Sequence, residues 1–416
     1  MKAILVSASL KNKEEDLNSS SLEELARLAE TAGIETACAI KARRQFWDPA
    51  TLIGSGKIEE IKQKAIQNKA NLVIFDEELT PAQQRNLEKA FDGIMVSTRA
   101  RLIIEIFSKR AKTREGRLQA MLAGFSYDLT RLTGRGLSMD QQHGMIGGRG
   151  AGERKKEYDR RTLRDKINEL QKEIDEIKKE RMIQRSSRIS VPLPQIAIVG
   201  YTNAGKSTFL NYLTKNRHAI YADDMLFATL DPSTKRVRLP SGGEALFTDT
   251  VGFIQRLPHT LIAAFRATLE EIHYSDLIIH LHDLSSPEAK MQHEAVKNTL
   301  KEIGIKDIPI INAFNKADAV PDKIYAWAPV SLRPSFISAR TGEGILELLK
   351  RCEQVLALKW EKHIEKIPQE KKKIISFLYS CCLVIRTEYS ETGTTITFRA
   401  TKENYARFLK KMAQAQ

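Results

Sequence analysis

The sequence is poor in cysteine and has no long apolar run. Only four of its 416 residues are cysteine (Cys38, Cys352, Cys381 and Cys382), and none of them forms a CxxC pair. The sequence therefore contains neither a cysteine-based zinc motif nor a thioredoxin-like redox motif, and we expect free thiols in a reducing compartment. No apolar run approaches the roughly 18 residues that a membrane-spanning helix needs. Residues 3–6 are too short for the apolar core of a signal peptide, so we expect a cytoplasmic protein.

Acidic residues are also in the minority. The chain has 52 Asp and Glu against 66 Lys and Arg, a formal net charge of +14. Such an excess attracts polyanions, either nucleic acid or the acidic face of a membrane, so peripheral membrane association is one expectation. Hydrophobic residues make up 42% and charged residues 28%, which is typical of a folded chain and not of a disordered one. At about 100–200 residues per domain, the length predicts two to four domains.

Three regions have the patterns of compact domains. Residues 1–100 alternate short apolar strands with amphipathic helices, which predicts a small α/β domain. Residues 193–366 alternate in the same way after a proline-containing link at 191–194, and they predict a second α/β domain. Residues 371–416 predict a small α+β domain with two strands and one helix.

Residues 101–192 have a different character. Apolar residues keep a heptad rhythm in two stretches, which predicts two long helices: Phe107, Ala111, Leu118, Met121 and Phe125, then Leu163, Ile167, Leu170, Ile174 and Ile177. Residues 131–155 between them hold seven of the 22 glycines, so we expect an antiparallel helical hairpin with a glycine-rich tip. Residues 101–190 carry 22 Lys or Arg and 13 Asp or Glu, so +9 of the net +14 lies here. A solvated helix face does not explain so one-sided a charge, which favours RNA binding.

Residues 200–207 form a complete GxxxxGKS motif between a predicted strand and a predicted helix. The glycines let backbone N–H groups close around phosphate oxygens, and the helix N-terminus adds partial positive charge. We expect Lys206 to contact the β- and γ-phosphates and the Ser207 hydroxyl to bind Mg²⁺. The expected nucleotide contacts in this loop are Gly200, Tyr201, Thr202, Asn203, Ala204, Gly205, Lys206, Ser207 and Thr208.

Three further motifs follow in the order that GTP binding requires. Asp249 ends a predicted strand and can hold the Mg²⁺ shell through water, and the N–H of Gly252 can sense the γ-phosphate. Asp318 of the NKxD motif can accept two hydrogen bonds from guanine, and adenine has no such donor pair. The Ser-Ala-Arg run at 338–340 can close over the base. The expected contacts are Asp249, Thr250, Val251, Gly252, Asn315, Lys316, Ala317, Asp318, Ser338, Ala339 and Arg340.

A FATLDP segment at 227–232 lies between the first two motifs. Thr229 is the predicted switch threonine, which binds Mg²⁺ while the γ-phosphate is present and releases it afterwards. Thr202, Thr234 and Thr248 are the alternatives, and an ordinary loop role is another. Thr229 joins Lys206 and Gly252 in the predicted catalytic set. The expected contacts of the segment are Phe227, Ala228, Thr229, Leu230 and Asp231.

Two positions depart from the pattern of small signalling GTPases. Phe253 follows Gly252 where those proteins have the glutamine that orients water, and a phenyl ring cannot hydrogen-bond a nucleophilic water. Asn203 is an uncharged oxygen donor near the α- and β-phosphates, so it is a candidate ligand for a monovalent cation such as K⁺. The alternative for Asn203 is that it only shapes the loop.

The motifs at 200–208, 227–232 and 249–254, with 48–57 and 132–136 upstream, resemble the HflX family of translation-factor GTPases. The resemblance covers nearly the whole chain, and it is less clear over the last 45 residues or so. It departs before residue 159, where GERKKEY replaces the GETQLE-like run of the family.

This resemblance implies a P-loop GTPase domain of Rossmann-like α/β fold, preceded by a small α/β domain with a long helical hairpin and followed by a small α+β domain. It further implies a protein that binds GTP or GDP, the 50S ribosomal subunit and its 23S rRNA. We expect the protein to be a monomer. The resemblance also implies that the protein splits 70S ribosomes under stress. The hairpin would then reach toward the peptidyl transferase centre, and ribosomal RNA would stimulate GTP hydrolysis.

Two other functions remain open at this point. One is an RNA-binding ribosome assembly factor in which the nucleotide mainly controls affinity. The other is an ATP-dependent RNA remodelling protein. Asn315 and Asp318 argue against ATP binding at the predicted GTP site, although an additional adenine-nucleotide site within residues 1–97 stays an alternative.

Overall fold

The computed structural model describes residues 1–10, 15–133, 151–188, 193–214, 233–255, 272–320, 327–358, 360–371, 373–390 and 392–414. These residues form two compact units, the first built on Met1–Lys178 and the second chiefly on the residues that follow. Within these ranges, no helix is both long enough and apolar enough to cross a membrane.

The first unit begins with a four-stranded parallel sheet in the order β2-β1-β3-β4. The strands are β1 (Lys2–Leu10), β2 (Glu35–Arg44), β3 (Leu72–Phe75) and β4 (Met95–Thr98), and the intervening helices are α1 (Glu15–Thr31), α2 (Ser55–Gln67) and α3 (Pro81–Phe91). Every residue of β3 is buried, and so is most of β1, because helices cover parallel sheets on both faces. The predicted alternation of strands and helices in this region is confirmed.

The start of α3 shows how the local sequence specifies an element. The Thr80 hydroxyl accepts a hydrogen bond from the backbone N–H of Gln83, and the Gln83 side chain accepts one from the N–H of Thr80. Pro81 takes the first helical position, where a missing N–H leaves no hydrogen bond unmade. Leu87 and Phe91 then lie on the face that enters the core of the sheet. Capping and apolar spacing therefore agree on where α3 begins and which side it buries.

The first long helix predicted from the heptad rhythm is two helices in the structure. α4 (Arg99–Arg110) and α5 (Arg114–Thr133) are separated by a short break. The Thr113 hydroxyl accepts a hydrogen bond from the N–H of Gly116 and so caps the start of α5. The break resets the helical phase, and Met121 is 48% exposed instead of lying in the apolar seam. The prediction of one long helix through this stretch is therefore wrong.

The predicted helical hairpin is formed by α5 and α6 (Ala151–Arg188). Its core is Leu118, Leu122, Leu170 and Ile174, with Phe125, Ile167 and Ile177 packed against them. Arg114 at the start of α5 lies 3.0 Å from Glu173, whereas Phe125, further along α5, meets Lys166, which comes earlier in α6. The two helices are therefore antiparallel, as predicted. Most of the predicted tip, residues 134–150, lies outside the described residues.

The second unit contains a six-stranded sheet in the order β10-β9-β8-β5-β7-β6. The strands are β5 (Gln195–Gly200), β6 (Ser233–Arg238), β7 (Glu244–Asp249), β8 (Leu277–Asp283), β9 (Ile310–Asn315) and β10 (Ser335–Phe336), and the helices are α7 (Lys206–Leu213), α8 (Ala289–Glu302) and α9 (Ile345–Leu358). Neighbouring strands are parallel except β6 and β7. This is the predicted α/β fold of a P-loop GTPase. The carboxyl ends of β5, β7 and β9, where three of the motifs begin, meet at one edge of the sheet.

The C-terminal part of the second unit has an antiparallel sheet in the order β11-β13-β12. Its elements are β11 (Glu361–Ile367), α10 (Lys373–Cys381), β12 (Leu383–Ser390), β13 (Gly393–Ala400) and α11 (Lys402–Gln414). The predicted two strands and final helix are present. β11, of which all but Ile367 lies within the predicted range 193–366, pairs with β13 along its whole length, and Ile367 belongs to the C-terminal core. The boundary at residue 366 stays a prediction.

Candidate nucleotide-binding site

The loop at 200–207 has the backbone shape of a phosphate-binding loop. It joins the end of β5 to the start of α7. Asn203 (φ 61°) and Gly205 (φ 88°) both have left-handed backbone conformations, which turn the chain tightly enough to point successive N–H groups inward. A Cβ atom at Gly205 would collide with the side-chain nitrogen of Asn315, so the sequence needs glycine there for space as well as conformation. The N-terminus of α7 then faces the concave side of the loop.

Lys206 lies buried at the centre of this loop. Its Nζ donates hydrogen bonds to the carbonyl oxygens of Tyr201, at 2.9 Å, and Gly200, at 3.2 Å. Burial lowers the pKa of Lys206 to about 8, and the nearby carboxylate of Asp249 opposes that shift. A buried ammonium group held by two neutral carbonyls has room for a stronger, anionic partner. The side chain is therefore placed to receive a phosphate oxygen.

Ser207 and Asp249 form the candidate magnesium site. The Ser207 hydroxyl donates to a carboxylate oxygen of Asp249 at 2.7 Å, and Asp249 is fully buried at the end of β7. A hydroxyl beside a carboxylate is a set of hard oxygen donors, which suits Mg²⁺ with its retained waters and nucleotide phosphates. These two residues therefore fit the ion that the sequence predicted for them.

The end of the DTVGF segment, residues 249–253, is paired with the phosphate loop. The N–H of Thr202 donates to the carbonyl of Phe253 at 2.8 Å, and the N–H of Phe253 donates to the carbonyl of Gly200 at 3.1 Å. A Cβ atom on Gly252 would lie 3.0 Å from Cα of Thr202 and 3.1 Å from Nζ of Lys206. Glycine at position 252 therefore allows the backbone to approach Thr202 and Lys206 of the phosphate loop closely. Phe253 itself is 4% exposed and belongs to the interior.

Asn315 connects the loop for the base with the loop for the phosphates. Its side-chain NH₂ donates to the carbonyl of Ala204 at 2.9 Å, and its side-chain oxygen accepts from the N–H of Ala339 at 2.8 Å. Lys316 is held by Asp283 at 2.7 Å. Asp318 stands exposed in the short helix Ala317–Ala319, where its carboxylate is open to a base.

The second loop for the base begins at Ser338, and hydrogen bonds within residues 338–343 hold its shape. The buried hydroxyl of Ser338 accepts a hydrogen bond from the N–H of Thr341, and the N–H of Ser338 donates to the carbonyl of Glu343. Arg340 is exposed. The buried Ser338 and Ala339 hold the loop shape, and Arg340 is left at its surface.

The structure brings most of the predicted contacts to one edge of the sheet. The residues gathered there are Gly200, Tyr201, Thr202, Asn203, Ala204, Gly205, Lys206, Ser207, Thr208, Asp249, Thr250, Val251, Gly252, Asn315, Lys316, Ala317, Asp318, Ser338, Ala339 and Arg340. The predicted contacts Phe227, Ala228, Thr229, Leu230 and Asp231 lie outside the described residues.

The choice of Thr229 as switch threonine therefore stays a prediction. Among its alternatives, the hydroxyls of Thr234 and Thr248 hydrogen-bond each other at 2.9 Å. The hydroxyl of Thr202, within the phosphate loop, is buried without a hydrogen-bond partner among the described residues. The K⁺ role of Asn203 stays a prediction as well.

Asp283 is a site residue that sequence reasoning missed. It ends β8, the strand between β5 and β9, and it pairs with the lysine of the NKxD motif. The signal was available, because a carboxylate at the carboxyl end of a buried strand lies on the same edge as the motifs.

The chain matches three sequence families. They are described as "GTP-binding GTPase N-terminal" over residues 19–108, "GTP-binding GTPase Middle Region" over residues 110–188 and "50S ribosome-binding GTPase" over residues 195–316. A solved structure of a GTP-binding protein from Sulfolobus solfataricus in complex with GDP covers 86% of this chain and 99% of its own, with 24% identity and a TM-score of 0.43.

Curated relatives extend over nearly the whole chain. The GTPase HflX of Lacrimispora saccharolytica is 43% identical over 406 residues, which are 97% of this chain and 95% of that protein. The GTPase HflX of Caldanaerobacter subterraneus is 40% identical and covers 97% of this chain and 91% of its own. The Escherichia coli GTPase HflX is 37% identical, with 91% and 89% covered. Similarity of this extent includes the N-terminal sheet and the hairpin as well as the nucleotide site, and the chain therefore belongs to the HflX family of GTPases.

Proposed function

We propose that this protein is a ribosome-dependent GTPase that binds the 50S subunit through its 23S rRNA and splits or recycles 70S ribosomes under stress. The observation that carries the proposal is the convergence of the phosphate loop, Asp249, Gly252 and the two base loops at one edge of the sheet. The family description "50S ribosome-binding GTPase" over residues 195–316 supports the ribosomal partner.

The phosphates of GTP would lie in the loop at 200–207 and draw Nζ of Lys206 away from the two carbonyls that it now contacts. Ser207 would hold Mg²⁺ directly and Asp249 through water, and the ion would neutralise charge on the β- and γ-phosphates. Thr229 would complete the shell while the γ-phosphate is present. The N–H of Gly252 would sense the same phosphate.

Guanine would be selected at the opposite end of the site. The exposed carboxylate of Asp318 would accept from the two donors of guanine. Asn315 and the Lys316–Asp283 ion pair would hold this loop in place, and the loop at 338–340 would close over the base.

Hydrolysis would be slow in the free protein. The side chain of Phe253 is buried and cannot form a hydrogen bond, so the chain lacks the side chain that usually orients the attacking water at this position. Asn203 would hold a K⁺ ion that supplies part of the missing positive charge. The ribosome would supply the remaining stimulation, which makes turnover conditional on the 50S subunit.

The basic hairpin would provide the RNA contact. Residues 101–190 hold 22 of the basic residues against 13 acidic ones, and Arg160, Arg161 and Arg164 are exposed on α6. Each cation that neutralises a phosphate releases counterions, so binding to the 50S subunit should weaken steeply as salt rises. Irregular rRNA is recognised largely by shape, which suits a glycine-rich tip.

Nucleotide turnover with and without 50S subunits, measured for GTP and ATP in parallel, tests the enzyme part of the proposal. We expect slow GTP turnover alone, strong stimulation by 50S subunits and no stimulated ATP turnover. Phe253→Ala should leave the rate of the chemical step nearly unchanged. Equal rates with and without ribosomes would contradict the proposal, whereas 50S binding without stimulated turnover would favour an assembly factor. Stimulated ATP turnover would favour RNA remodelling.

A deletion of residues 131–155, closed by a short linker, tests the hairpin. We expect GTP binding to persist while the affinity for the 50S subunit falls. Splitting of 70S ribosomes should be lost, as measured by sedimentation in the presence of a non-hydrolysable GTP analogue. Reversing the charge of Arg160 and Arg164 to Glu should reduce the salt dependence of 50S binding. Lys410→Glu, an exposed change on α11, is the matched control. Splitting at the original level after the deletion would mean that the hairpin is only a spacer.

A further inference from the structure

Three histidines form a buried cluster in the second unit that the GTPase mechanism does not use. His280 and His282 are two residues apart on β8, so their side chains lie on the same face of the sheet. His293 comes from α8, which packs against that face. The three residues are 3%, 4% and 7% exposed.

The three imidazoles are close enough to share one ligand. The ring centroids of His280 and His282 are 3.9 Å apart, and each is 5.2–5.3 Å from that of His293. One ring nitrogen from each residue lies within 4.8 Å of the other two. Two ligands of a tetrahedral Zn²⁺ at about 2.0–2.1 Å would be ~3.3 Å apart, so small rotations of the rings would complete the geometry.

A hydrogen bond to Asn312 identifies which ring nitrogen of His282 has a free lone pair. The amide NH₂ of Asn312 donates to the carbonyl of Leu332, which directs its oxygen toward His282. Nε2 of His282 therefore donates to that oxygen, at 3.1 Å, and Nδ1 is left with the lone pair. Metal-binding histidines are usually oriented in this way, by an oxygen that accepts from the nitrogen away from the metal.

His293 differs from His282 because no hydrogen bond orients its ring among the described residues. Its Nε2 lies 4.0 Å from the carboxylate of Glu294. Its Nδ1 is buried and has no hydrogen-bond partner among the described residues. A buried polar nitrogen without a partner is unfavourable, so this atom is available to bind a ligand.

Burial disfavours the protonated form of each of the three rings. Burial lowers the pKa of His282 to about 4, and burial also lowers the pKa of His280 and of His293. Neutral imidazoles keep the lone pairs through which they bind a metal.

We propose that His280, His282 and His293 form a binding site for one divalent transition-metal ion, with Zn²⁺ the expected occupant. Three imidazoles without a carboxylate suit Zn²⁺ and its neighbours in the first transition row, and they do not suit Mg²⁺ or Ca²⁺. The ion would join β8 to α8 and leave one coordination position for water. The rival explanation is that the rings only pack with Phe314 and Trp327, whose centroids lie 4.5 Å from His282 and 5.1 Å from His293, respectively.

The test uses the full chain, stripped with a chelator and then saturated with Mg²⁺ and GDP so that the nucleotide site is occupied. Competition with a chromophoric chelator should show one Zn²⁺ bound per chain with submicromolar affinity. His293→Phe and His282→Phe should each weaken this binding at least 100-fold while GDP binding is retained. His273→Gln, an exposed histidine outside the cluster, should bind Zn²⁺ like the original protein.

Two spectroscopic measurements on the unmutated chain keep the proposal testable even if a variant does not fold. Co²⁺ should give the intense visible absorption of a tetrahedral site without a thiolate charge-transfer band, which separates this site from the cysteines. Co²⁺ should also quench the fluorescence of Trp327, and Trp327→Phe should remove most of that quenching. No Zn²⁺ uptake at micromolar concentration, a thiolate band, or unchanged binding in both histidine variants would each overturn the proposal.

Discussion

The four-stranded sheet of the first unit and the largely parallel six-stranded sheet of the second unit use their carboxyl edges in opposite ways. In both sheets, parallel strands end together and present the kind of edge where α/β proteins bind ligands. In the second unit this edge has tight glycine turns, a lysine whose ammonium group donates to two backbone carbonyls, and an exposed Asp318. In the first unit the same edge is filled by the side chains of the protein itself.

Arg99 occupies the centre of the filled edge. It follows β4 directly and is 2% exposed. Its guanidinium group contacts Asp76 and Glu24, each at 2.7 Å, and donates to the carbonyl of Ser21 at 2.9 Å. The Ser21 hydroxyl donates in turn to Asp76 at 2.6 Å. Topology therefore offers an edge for binding in both units, and the side chains that end the strands decide whether it stays open.

Removing Arg99 should disrupt the ion pairs of the filled edge and lower the stability of the first unit, which is the largest of the expected effects. Arg99→Leu would leave two buried carboxylates without their guanidinium, and removing one partner of a buried ion pair costs about 3–5 kcal/mol. Urea unfolding followed by circular dichroism should show the first unit destabilised by that amount, with GDP affinity changed less than about twofold.

Arg101→Leu is the matched control for Arg99→Leu. Arg101 pairs with Glu105 and Asp128, but its side chain is 37% exposed, and pairs near the surface contribute about 1 kcal/mol or less. Equal destabilisation by the two variants would mean that burial of the Arg99 network does not matter.

Removing the lysine of the open edge should have the next largest effect. Lys206→Ala takes away the positive charge for the phosphates, so affinity for GTP should fall by about a hundredfold or more, equivalent to about 2.8 kcal/mol. Titration with a fluorescent GTP analogue measures the change, with Lys301→Ala, an exposed lysine at the end of α8, as the control. The far-ultraviolet circular dichroism should not change, and unaltered GTP turnover would mean that the phosphates bind elsewhere.

The base end of the open edge should show a smaller effect, one of specificity. Asp318→Asn replaces an acceptor with a group that opposes the donors of guanine, so affinity for GTP should fall about tenfold or more, at least about 1.4 kcal/mol. The preference should move toward xanthine nucleotides. Competition between GTP and XTP decides the point, and an unchanged ratio would remove Asp318 from the site.

The smallest expected effect is a difference in alkylation rate between buried and accessible thiols. Burial raises the pKa of Cys352 to about 12, so its reactive thiolate is scarce at pH 8, whereas Cys38 on β2 is only half-buried. Alkylation of the folded protein followed by mass spectrometry should label Cys38 first. Faster labelling of Cys352 would show that the core of the second unit opens more readily than the structure indicates.

The sequence could predict the open edge because the chemistry of a phosphate loop depends on a few residues at fixed spacing. Gly205, Lys206 and Ser207 are neighbours in the chain, and their roles need no knowledge of distant contacts. The predicted strands and the antiparallel hairpin followed from periodicity for a similar reason.

What could not be predicted depends on contacts between distant parts of the chain. Thr113 starts a new helix inside an apolar rhythm that favoured one continuous helix. β11 joins the C-terminal sheet only through pairing with β13. His293 comes close to the histidines of β8 only when α8 packs on the sheet, so no local sequence motif predicts the cluster.

Asn315 has a consequence for the size of ligand that the open edge accepts. One carboxamide holds Ala204 of the phosphate loop and Ala339 of the base loop at the same time. The separation between the two loops is therefore set by the length of a single side chain before any nucleotide arrives. A ligand whose base and phosphates match that separation binds without paying to order the loops. If Asn315 were shortened to Ala, the nucleotide itself would have to impose the spacing that the folded chain now supplies.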